Sequence, residues 1–192
     1  MKNQRLFLGV LLGVLIGIVI GVSFLQFAQK RACPAPVCVD SANVIPVSDR
    51  GYFQQVHNEL LKARSSIHLV VFELKYYPTY SESSENIIVQ DLIDAKKRGL
   101  DVRIIVDEYS KENNAFDFLK GNGIGIVMDT ENVTTHAKLV VVDGKVVILG
   151  STNFSYYALE KNNEVDVIIR DEKTAEYFEK YFDDLWKEFA NG

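Results

Sequence analysis

Residues 136–155 contain side chains whose types and spacing could carry out chemistry on a phosphate group. His136 and Lys138 are two residues apart, and Ser151 and Asn153 repeat this spacing further along the chain. Side chains at positions i and i+2 of a strand share one face, so each pair is expected to project together. Histidine can attack phosphorus or protonate a leaving oxygen near neutral pH, while lysine and asparagine can stabilise charge on the other oxygens. The pattern favours phosphoryl transfer, and with these side chains the reaction would need no metal and no cofactor.

Two strands joined by a tight turn are predicted to hold these pairs together. Residues 139–142 and 146–149 are apolar runs, and Asp143-Gly144 lies between them. A two-residue hairpin turn needs residues that tolerate positive φ, and Asp-Gly meets that need. Gly150 ends the returning strand. We therefore assign Asp143, Gly144 and Gly150 structural roles, and the alternative for the whole segment is a buried hairpin with a His and a Lys at its edge.

The complete pattern runs His136-x-Lys138, four residues, Asp143, six residues, Gly150-Ser151-x-Asn153. It resembles the HKD motif of the phospholipase D superfamily, and the strand-turn-strand context is the one that the motif requires. The resemblance is strongest for small members with a single motif, the bacterial endonuclease type and the mitochondrial phospholipase D-like type. It covers about residues 45–190. The zinc-binding insertion of some mitochondrial-type members is absent from this sequence, which leaves RNA-processing roles in doubt.

The resemblance implies a role for each of five residues. His136 would attack phosphorus in one chain and would serve as the general acid and base in the other. Lys138 and Asn153 would hold the phosphoryl oxygens, and Ser151 would support them. Glu164 would orient the histidine, since a carboxylate on one ring nitrogen fixes the tautomer and raises the basicity of the other nitrogen.

A homodimer is the expected assembly. Larger members of the superfamily carry two copies of the motif, whereas His-x-Lys occurs once in these 192 residues. If the family mechanism holds, two chains must each contribute half of the active site.

Strands alternating with helices predict a layered α/β/α domain with a mixed central β-sheet, the phospholipase D/nuclease fold, over residues 49–192. Helices are predicted at 49–64, 86–98, 113–120 and 174–190, and strands outside the hairpin at 67–74, 101–107, 124–128 and 164–169. His57 and His68 are interpreted as structural residues. Tyr76, Tyr77 and Tyr80 lie in a loop after a strand, where they could stack on a base, line an acyl or headgroup pocket, or pack a dimer interface.

The N-terminal segment is predicted to be a single-pass membrane anchor over residues 1–31. No charged residue lies between Arg5 and Lys30, and residues 6–27 are long enough to cross the hydrocarbon core as a helix. A cleaved signal peptide is the alternative, but a good A-x-A-like site does not follow. Glycine recurs every fourth residue, a spacing that lets membrane helices pair closely, at Gly9, Gly13, Gly17 and Gly21.

Residues 32–48 are predicted to be a linker with a cysteine pair. Cys33 and Cys38 are the two cysteines of the chain, which is too few for a four-ligand zinc site. A small disulfide loop or a pair between chains is expected, and either would require an oxidising compartment. Together with a slight positive-inside bias, this places the catalytic domain outside the cytoplasm.

The charge distribution bears on the substrate. Four of the 21 basic residues lie in the first 31 residues, which hold no acid, so the remainder carries 17 basic against 26 acidic residues. Such a surface does not attract polyanions broadly. The expected function is a membrane-anchored, metal-independent phosphodiesterase, nuclease-like towards DNA or RNA. The alternatives are a phospholipase D acting on phosphatidylcholine or cardiolipin and a non-catalytic membrane scaffold.

Overall fold

The computed structural model describes residue 17 and residues 39–109 and 115–190. Backbone contacts separate residues 1–38 from a unit that begins at Val39, and this second unit contains the fold described below. Apart from Gly17, the predicted anchor with its glycine stripe lies outside the described residues, as do Cys33 and Cys38. Among the residues that are described, no helix has both the length and the apolar character needed to span a bilayer.

The described part of this unit contains seven strands and five α-helices. The strands are β1 (Val44–Ser48), β2 (Ser66–Val71), β3 (Asp101–Val106), β4 (Gly125–Met128), β5 (Lys138–Val142), β6 (Val146–Gly150) and β7 (Val165–Arg170). The helices are α1 (Gly51–Lys62), α2 (Ser84–Lys97), α3 (Ala115–Gly121), α4 (Tyr156–Glu160) and α5 (Glu172–Ala190). The predicted helices and strands are all present, with ends shifted by a few residues.

All seven strands form a single mixed sheet in the order β1-β7-β6-β5-β2-β3-β4. Strands β2, β3 and β4 are parallel, and the remaining neighbours are antiparallel. Successive strand residues point to opposite faces, so Leu69 belongs to the apolar cluster that contains Val56 of α1, while Val70 belongs to the cluster that contains Phe182 of α5. Two apolar clusters therefore lie on opposite faces of the sheet, and the layered α/β fold with a mixed sheet is confirmed.

Strand β1 corrects the predicted linker. Residues 44–48 pair antiparallel with β7, from Val44 opposite Ile169 to Ser48 opposite Val165. Pro46 lowers the strand signal in the sequence, but proline is tolerated at a sheet edge because one side of an edge strand forms no ladder. The linker prediction is therefore wrong for Val44–Ser48, where the chain already belongs to the folded unit.

The β5–β6 hairpin closes as predicted, through Asp143 at φ 56° and Gly144 at φ 61°. The Asp143 carboxylate also accepts hydrogen bonds from the amides of Arg64, Ser65 and Ser66, at 2.7–3.1 Å. Burial opposes ionisation of this carboxyl, but the amide hydrogen bonds outweigh it and lower its pKa. The turn is thus tied to the start of β2, which gives Asp143 a structural role.

His57 and His68 both occupy structural positions. His57 Nδ1 lies 2.7 Å from a carboxylate oxygen of Asp91, a bond that joins α1 to α2. His68 is buried in β2, stacks on Phe182 with ring centroids 4.6 Å apart, and bonds Glu179 through Nδ1. His57 therefore links α1 to α2, and His68 links β2 to α5.

Candidate active site

The predicted site residues gather at one edge of the sheet, where the parallel strands end. Lys138 begins β5 opposite Val71, the last residue of β2. Gly150 ends β6 opposite Asp166, near the start of β7. The β5 start, the β6 end and the β7 start therefore meet beside the carboxyl ends of β2, β3 and β4, the side on which open α/β sheets usually carry their sites.

His136 and Lys138 share one aromatic neighbour, Phe72, which directly follows β2. The His136 ring lies 4.7 Å from the Phe72 ring, centroid to centroid, and Lys138 Nζ lies 5.0 Å from the same centroid. Lys138 Nζ also donates to the His136 carbonyl at 3.0 Å. His136 is exposed, whereas Lys138 is 7% exposed. A substrate could therefore reach the imidazole from solvent, while the ammonium is largely shielded from water.

The Lys138 ammonium has a lowered pKa. Its burial disfavours the charged form, and the negative charges of Glu164, Glu73 and Asp107 oppose that effect without cancelling it. Three acidic residues therefore surround a desolvated lysine. Such an ammonium has unused donors and is poised to bind an anionic oxygen.

Glu164 is held by neighbours within its own chain. Ser151 Oγ donates to Glu164 Oε2 at 2.5 Å, and Asn162 Nδ2 donates to Oε1 at 3.0 Å. Ser151 Oγ also accepts from the Val165 amide at 3.1 Å. Among the described residues Glu164 has no hydrogen bond to the His136 ring, so its orienting role stays a prediction.

Gly150 is required by close packing against β7. A Cβ added there would lie 2.2 Å from Asp166 Oδ1 and 2.5 Å from the Val165 carbonyl. The Asp166 carboxyl in turn accepts from the Thr152 amide at 3.2 Å and from its hydroxyl at 2.6 Å. Burial raises the Asp166 pKa, and the Thr152 hydrogen bonds lower it only in part. Asp166 therefore fixes the backbone between Ser151 and Asn153.

Asn153 retains hydrogen-bonding capacity at the site. Its Oδ1 is buried and has no hydrogen-bond partner among the residues that the structure describes. The next residue, Phe154, is fully buried and forms a parallel bridge to Leu74, in the segment after β2. The segment after β6 therefore joins the sheet edge that carries Lys138.

The structure adds Asp107 and Asp129, which the sequence analysis missed. They directly follow β3 and β4, and a carboxylate oxygen of each accepts from the Thr135 amide, at 2.9 Å and 2.8 Å. Burial raises the Asp107 pKa, and the nearby Asp129 adds to the effect. The two carboxyls fix the backbone immediately before His136. Aspartates that end successive parallel strands are the sequence signal that could have identified them.

No group of three or more His, Cys, Asp or Glu side chains suited to a metal ion occurs in residues 39–109 and 115–190. The expectation of metal-independent chemistry therefore continues to depend on the motif.

The family model for the PLD-like domain of cardiolipin synthase matches residues 56–186. The mitochondrial cardiolipin hydrolase of Canis lupus familiaris is 33% identical over 132 residues, which are 68% of this chain and 48% of that protein. A phospholipase D of Rickettsia prowazekii is 30% identical over 128 residues, 65% of this chain and 58% of that protein. The chain spans about half to two thirds of the length of the curated relatives it matches.

Among solved structures, Nuc from Salmonella typhimurium, described as a phospholipase D family member, superposes with a TM-score of 0.65 at 27% identity. The match covers 76% of this chain and 96% of Nuc. The segment matched by the family model, residues 56–186, includes the β5–β6 hairpin, His136, Lys138 and the strand that follows Glu164. This chain therefore belongs to the phospholipase D superfamily of phosphodiesterases.

Proposed function

We propose that this chain is a metal-independent phosphodiesterase whose active site is assembled from two copies and works through a phosphohistidine. The observation that carries the proposal is the exposed His136 ring beside the shielded Lys138 ammonium, with Phe72 contacting both. A nucleophile next to a fixed cation is what attack on a phosphodiester requires.

The reaction proceeds in two displacements. A ring nitrogen of His136 attacks phosphorus, the bond to the leaving oxygen breaks, and His136 of the second chain donates its proton to that oxygen. The second histidine then takes a proton from water, the resulting oxygen attacks phosphorus, and the phosphorus–nitrogen bond breaks. Lys138 and Asn153 from each chain hold the non-bridging oxygens throughout.

The need for a second chain follows from this proton balance. One imidazole cannot be the nucleophile and protonate the leaving group in the same step, and His57 and His68 are bonded elsewhere in the fold. A two-fold dimer would bring two identical His136 rings to one phosphorus.

Mixing wild-type chains with His136→Asn chains tests the shared site. When equal amounts are unfolded together and allowed to refold, a shared site leaves about one quarter of the dimers active, because both histidines must be present. Independent sites would leave about one half of the activity. A linear fall of activity with the mutant fraction would contradict the shared site.

Nuclease-like chemistry is the first candidate for the substrate class. The correspondence with Nuc extends over nearly all of that protein, and the identity is high enough to support more than a shared fold. The exposed histidine suits a substrate that approaches from bulk solvent.

Hydrolysis of membrane phospholipids is the second candidate. It is favoured by relatives named cardiolipin hydrolase and phospholipase D, and by a tyrosine-lined pocket formed by the segments that follow β2 and β6. The predicted N-terminal anchor would hold the catalytic domain at a membrane surface outside the cytoplasm, in reach of either substrate.

Turnover of the full chain in an uncharged detergent, with EDTA present, separates the two candidates. Single-stranded DNA and mixed micelles of phosphatidylcholine or cardiolipin are offered in parallel, with His136→Asn as the blank. Cleavage of DNA alone would support the nuclease, and release of headgroup alone would support the phospholipase. The assay is repeated without EDTA, and activity that appears only in its absence would contradict the metal-independent mechanism.

A further inference from the structure

The turn between β1 and α1 contacts the segment that carries Glu164. Asp49 lies in this turn, between Ser48 at the end of β1 and Gly51 at the start of α1. Its φ is 51°, in the left-handed region that residues other than glycine rarely adopt. Aspartate and asparagine tolerate that region best, because their short polar side chains can form local hydrogen bonds. The proposed chemistry at His136 does not use Asp49.

Asp49 holds both backbone groups of Glu164. The Asp49 amide donates to the Glu164 carbonyl at 3.0 Å, which continues the β1–β7 ladder by one residue beyond Ser48 and Val165. The Asp49 carbonyl has turned towards α1, where it accepts from the Tyr52 amide at 3.1 Å. The side chain takes its place, since Asp49 Oδ1 accepts from the Glu164 amide at 2.9 Å. Glu164 therefore stays attached to β1 at the point where the backbone turns away.

The Glu164 side chain is held as well as its backbone. Ser151 Oγ donates to one carboxylate oxygen and Asn162 Nδ2 donates to the other. Hydrogen bonds from three residues, Asp49, Ser151 and Asn162, thus fix one glutamate. This number of contacts is large for a carboxylate at the edge of a sheet, and it gives the charge a defined position.

The sheet register places Glu164 and Lys138 on one face. The residue after Lys138 pairs with Leu149, and the residue after Leu149 pairs with Asp166. Directly opposed residues share a face and successive residues alternate, so Lys138 and Asp166 share a face. Glu164 precedes Asp166 by two residues, and the same alternation directs it to that face. Burial lowers the Lys138 pKa, and among the negative charges that oppose this effect Glu164 contributes most.

We propose that Asp49 is a positioning residue for Lys138: by holding Glu164 on β1, it keeps the Glu164 carboxylate where its charge supports the Lys138 ammonium. This role rests on the proposed function, in which that ammonium binds the phosphoryl oxygens. It also gives Glu164 a task that needs no contact with the His136 ring. Strand β1 would then contribute to the site as well as to the fold.

Competitive acetylation of the full chain, in an uncharged detergent, measures the titration of Lys138 without any need for turnover. A trace of acetic anhydride labels only the neutral amine, and mass spectrometry gives the labelling of Lys138 at each pH relative to a standard amine. Glu164→Gln should move the Lys138 curve to lower pH, because a stabilising negative charge is lost. Asp49→Gly should move it in the same direction, by no more than Glu164→Gln, because the carboxylate is released rather than removed. An unmoved curve in either variant would overturn the positioning role.

Two Asp49 variants separate the hydrogen-bond acceptor from the charge. Asp49→Gly suits the positive φ but has no acceptor, whereas Asp49→Asn keeps an acceptor oxygen and tolerates the same φ but has no charge. We expect Lys138 to titrate in Asp49→Asn as it does in wild type. A curve that shifts as far in Asp49→Asn as in Asp49→Gly would indicate a direct charge effect and would overturn the inference.

Asp171→Ala is the matched structural control. Asp171 follows β7 at its other end, and its carboxylate accepts from the Thr174 amide at 2.8 Å. This variant therefore also loses a carboxylate that holds a backbone amide, and urea unfolding checks that both variants are folded. Only Asp49→Gly should shift the Lys138 curve. An equal shift in Asp171→Ala would attribute the effect to general loosening of the fold and would contradict a specific role for Asp49.

A double variant tests whether Asp49 acts through Glu164. Asp49→Gly combined with Glu164→Gln should titrate like Glu164→Gln alone, and a further shift would show that Asp49 acts independently. The pH profile of kcat/KM then separates this role from the proposed function. A shifted Lys138 curve with an unmoved alkaline limb would contradict the use of the ammonium in the reaction. An unshifted curve in an active Asp49→Gly variant would contradict the positioning role alone.

Discussion

The two ends of the β5–β6 hairpin use aspartates in opposite ways. At the turn, Asp143 accepts hydrogen bonds from three amides and has a lowered pKa. At the other end, Asp107 and Asp166 are buried with raised pKa values, and Lys138 is buried with a lowered one. The charged state is stabilised at the turn and disfavoured at the site.

This difference distinguishes the turn residues of the motif from its candidate site residues. Polar groups at the turn are satisfied by the fold itself, so they contribute to stability. Groups at the site end are held in place but retain unfavourable electrostatics, and Asn153 Oδ1 has no partner among the described residues. Perturbed groups of this kind concentrate where a substrate is expected to complete the interactions.

The largest expected effect is the loss of catalysis at the site end. His136→Asn should lower turnover at least about a thousandfold, because the proposed mechanism uses this ring both as the nucleophile and as the general acid. Its unfolding midpoint in urea should stay near wild type, since the ring is exposed. His57→Asn is the matched control. This variant loses the hydrogen bond to Asp91, so it should be less stable than wild type but still active. A His57→Asn variant that is fully folded and inactive would contradict the structural role of His57.

Gly150→Ala should destabilise the protein by about 3 kcal/mol or more. The added methyl group would overlap Asp166 and the Val165 backbone, neither of which can move without breaking the β6–β7 ladder. Urea unfolding followed by circular dichroism measures the change. Gly121→Ala serves as control, because nothing lies within 4 Å of its added Cβ. Equal stability of the two variants would contradict the close packing.

Asp143→Ala should lower the free energy of unfolding by about 1–3 kcal/mol, because three amides lose their acceptor, and should leave turnover of the folded protein unchanged. The folded pKa of Asp143 lies below its unfolded value of about 3.9, so its stabilisation is present above that pH and is lost as pH falls through the folded pKa. The gap between variant and wild type in urea unfolding should therefore close in acid. Loss of turnover at full folding would refute a purely structural role.

The smallest effect is a shift in the alkaline limb of the pH–rate profile. The negative charge of Glu73 raises the Lys138 pKa, so Glu73→Gln should lower that pKa further and move the limb to lower pH. The Lys75 ammonium, 2.8 Å from Glu73, would lose its partner and act in the same direction. The profile of kcat/KM against pH measures the shift, with the exposed Glu131→Gln as control. A shift to higher pH would contradict the inference that the negative charge of Glu73 raises the Lys138 pKa.

Much of the fold was predictable because its signals are local. Apolar runs, an Asp-Gly turn and helix periodicity identified the hairpin and the main helices from neighbouring residues alone. Strand β1 was missed because it contains a proline, which is typical of a linker, and because none of its residues is fully buried. It is stabilised by pairing with β7, which lies far away in sequence.

The candidate site residues were predicted for a different reason, the fixed spacing of their motif, and the structure places them at one edge of the sheet. The residues that position the motif were not, because their contacts depend on sheet register. Asp166 lies opposite Gly150 on the adjacent strand β7, and Asp107, which follows β3, accepts from the Thr135 amide although β4 lies between them in sequence. An aspartate that follows a strand can accept hydrogen bonds from many different groups, so the three-dimensional structure is needed to identify its partner.

The position of β1 has a mechanical consequence. It is the first strand after Val39, so tension on the N-terminal segment is transmitted first to Val44, whose partner is Ile169. The opposite end of the strand, Ser48, leads directly to Asp49, which exchanges backbone and side-chain hydrogen bonds with Glu164. A pulling force would therefore peel the strand from the end remote from the candidate active site, and the Asp49–Glu164 contact would be the last to rupture.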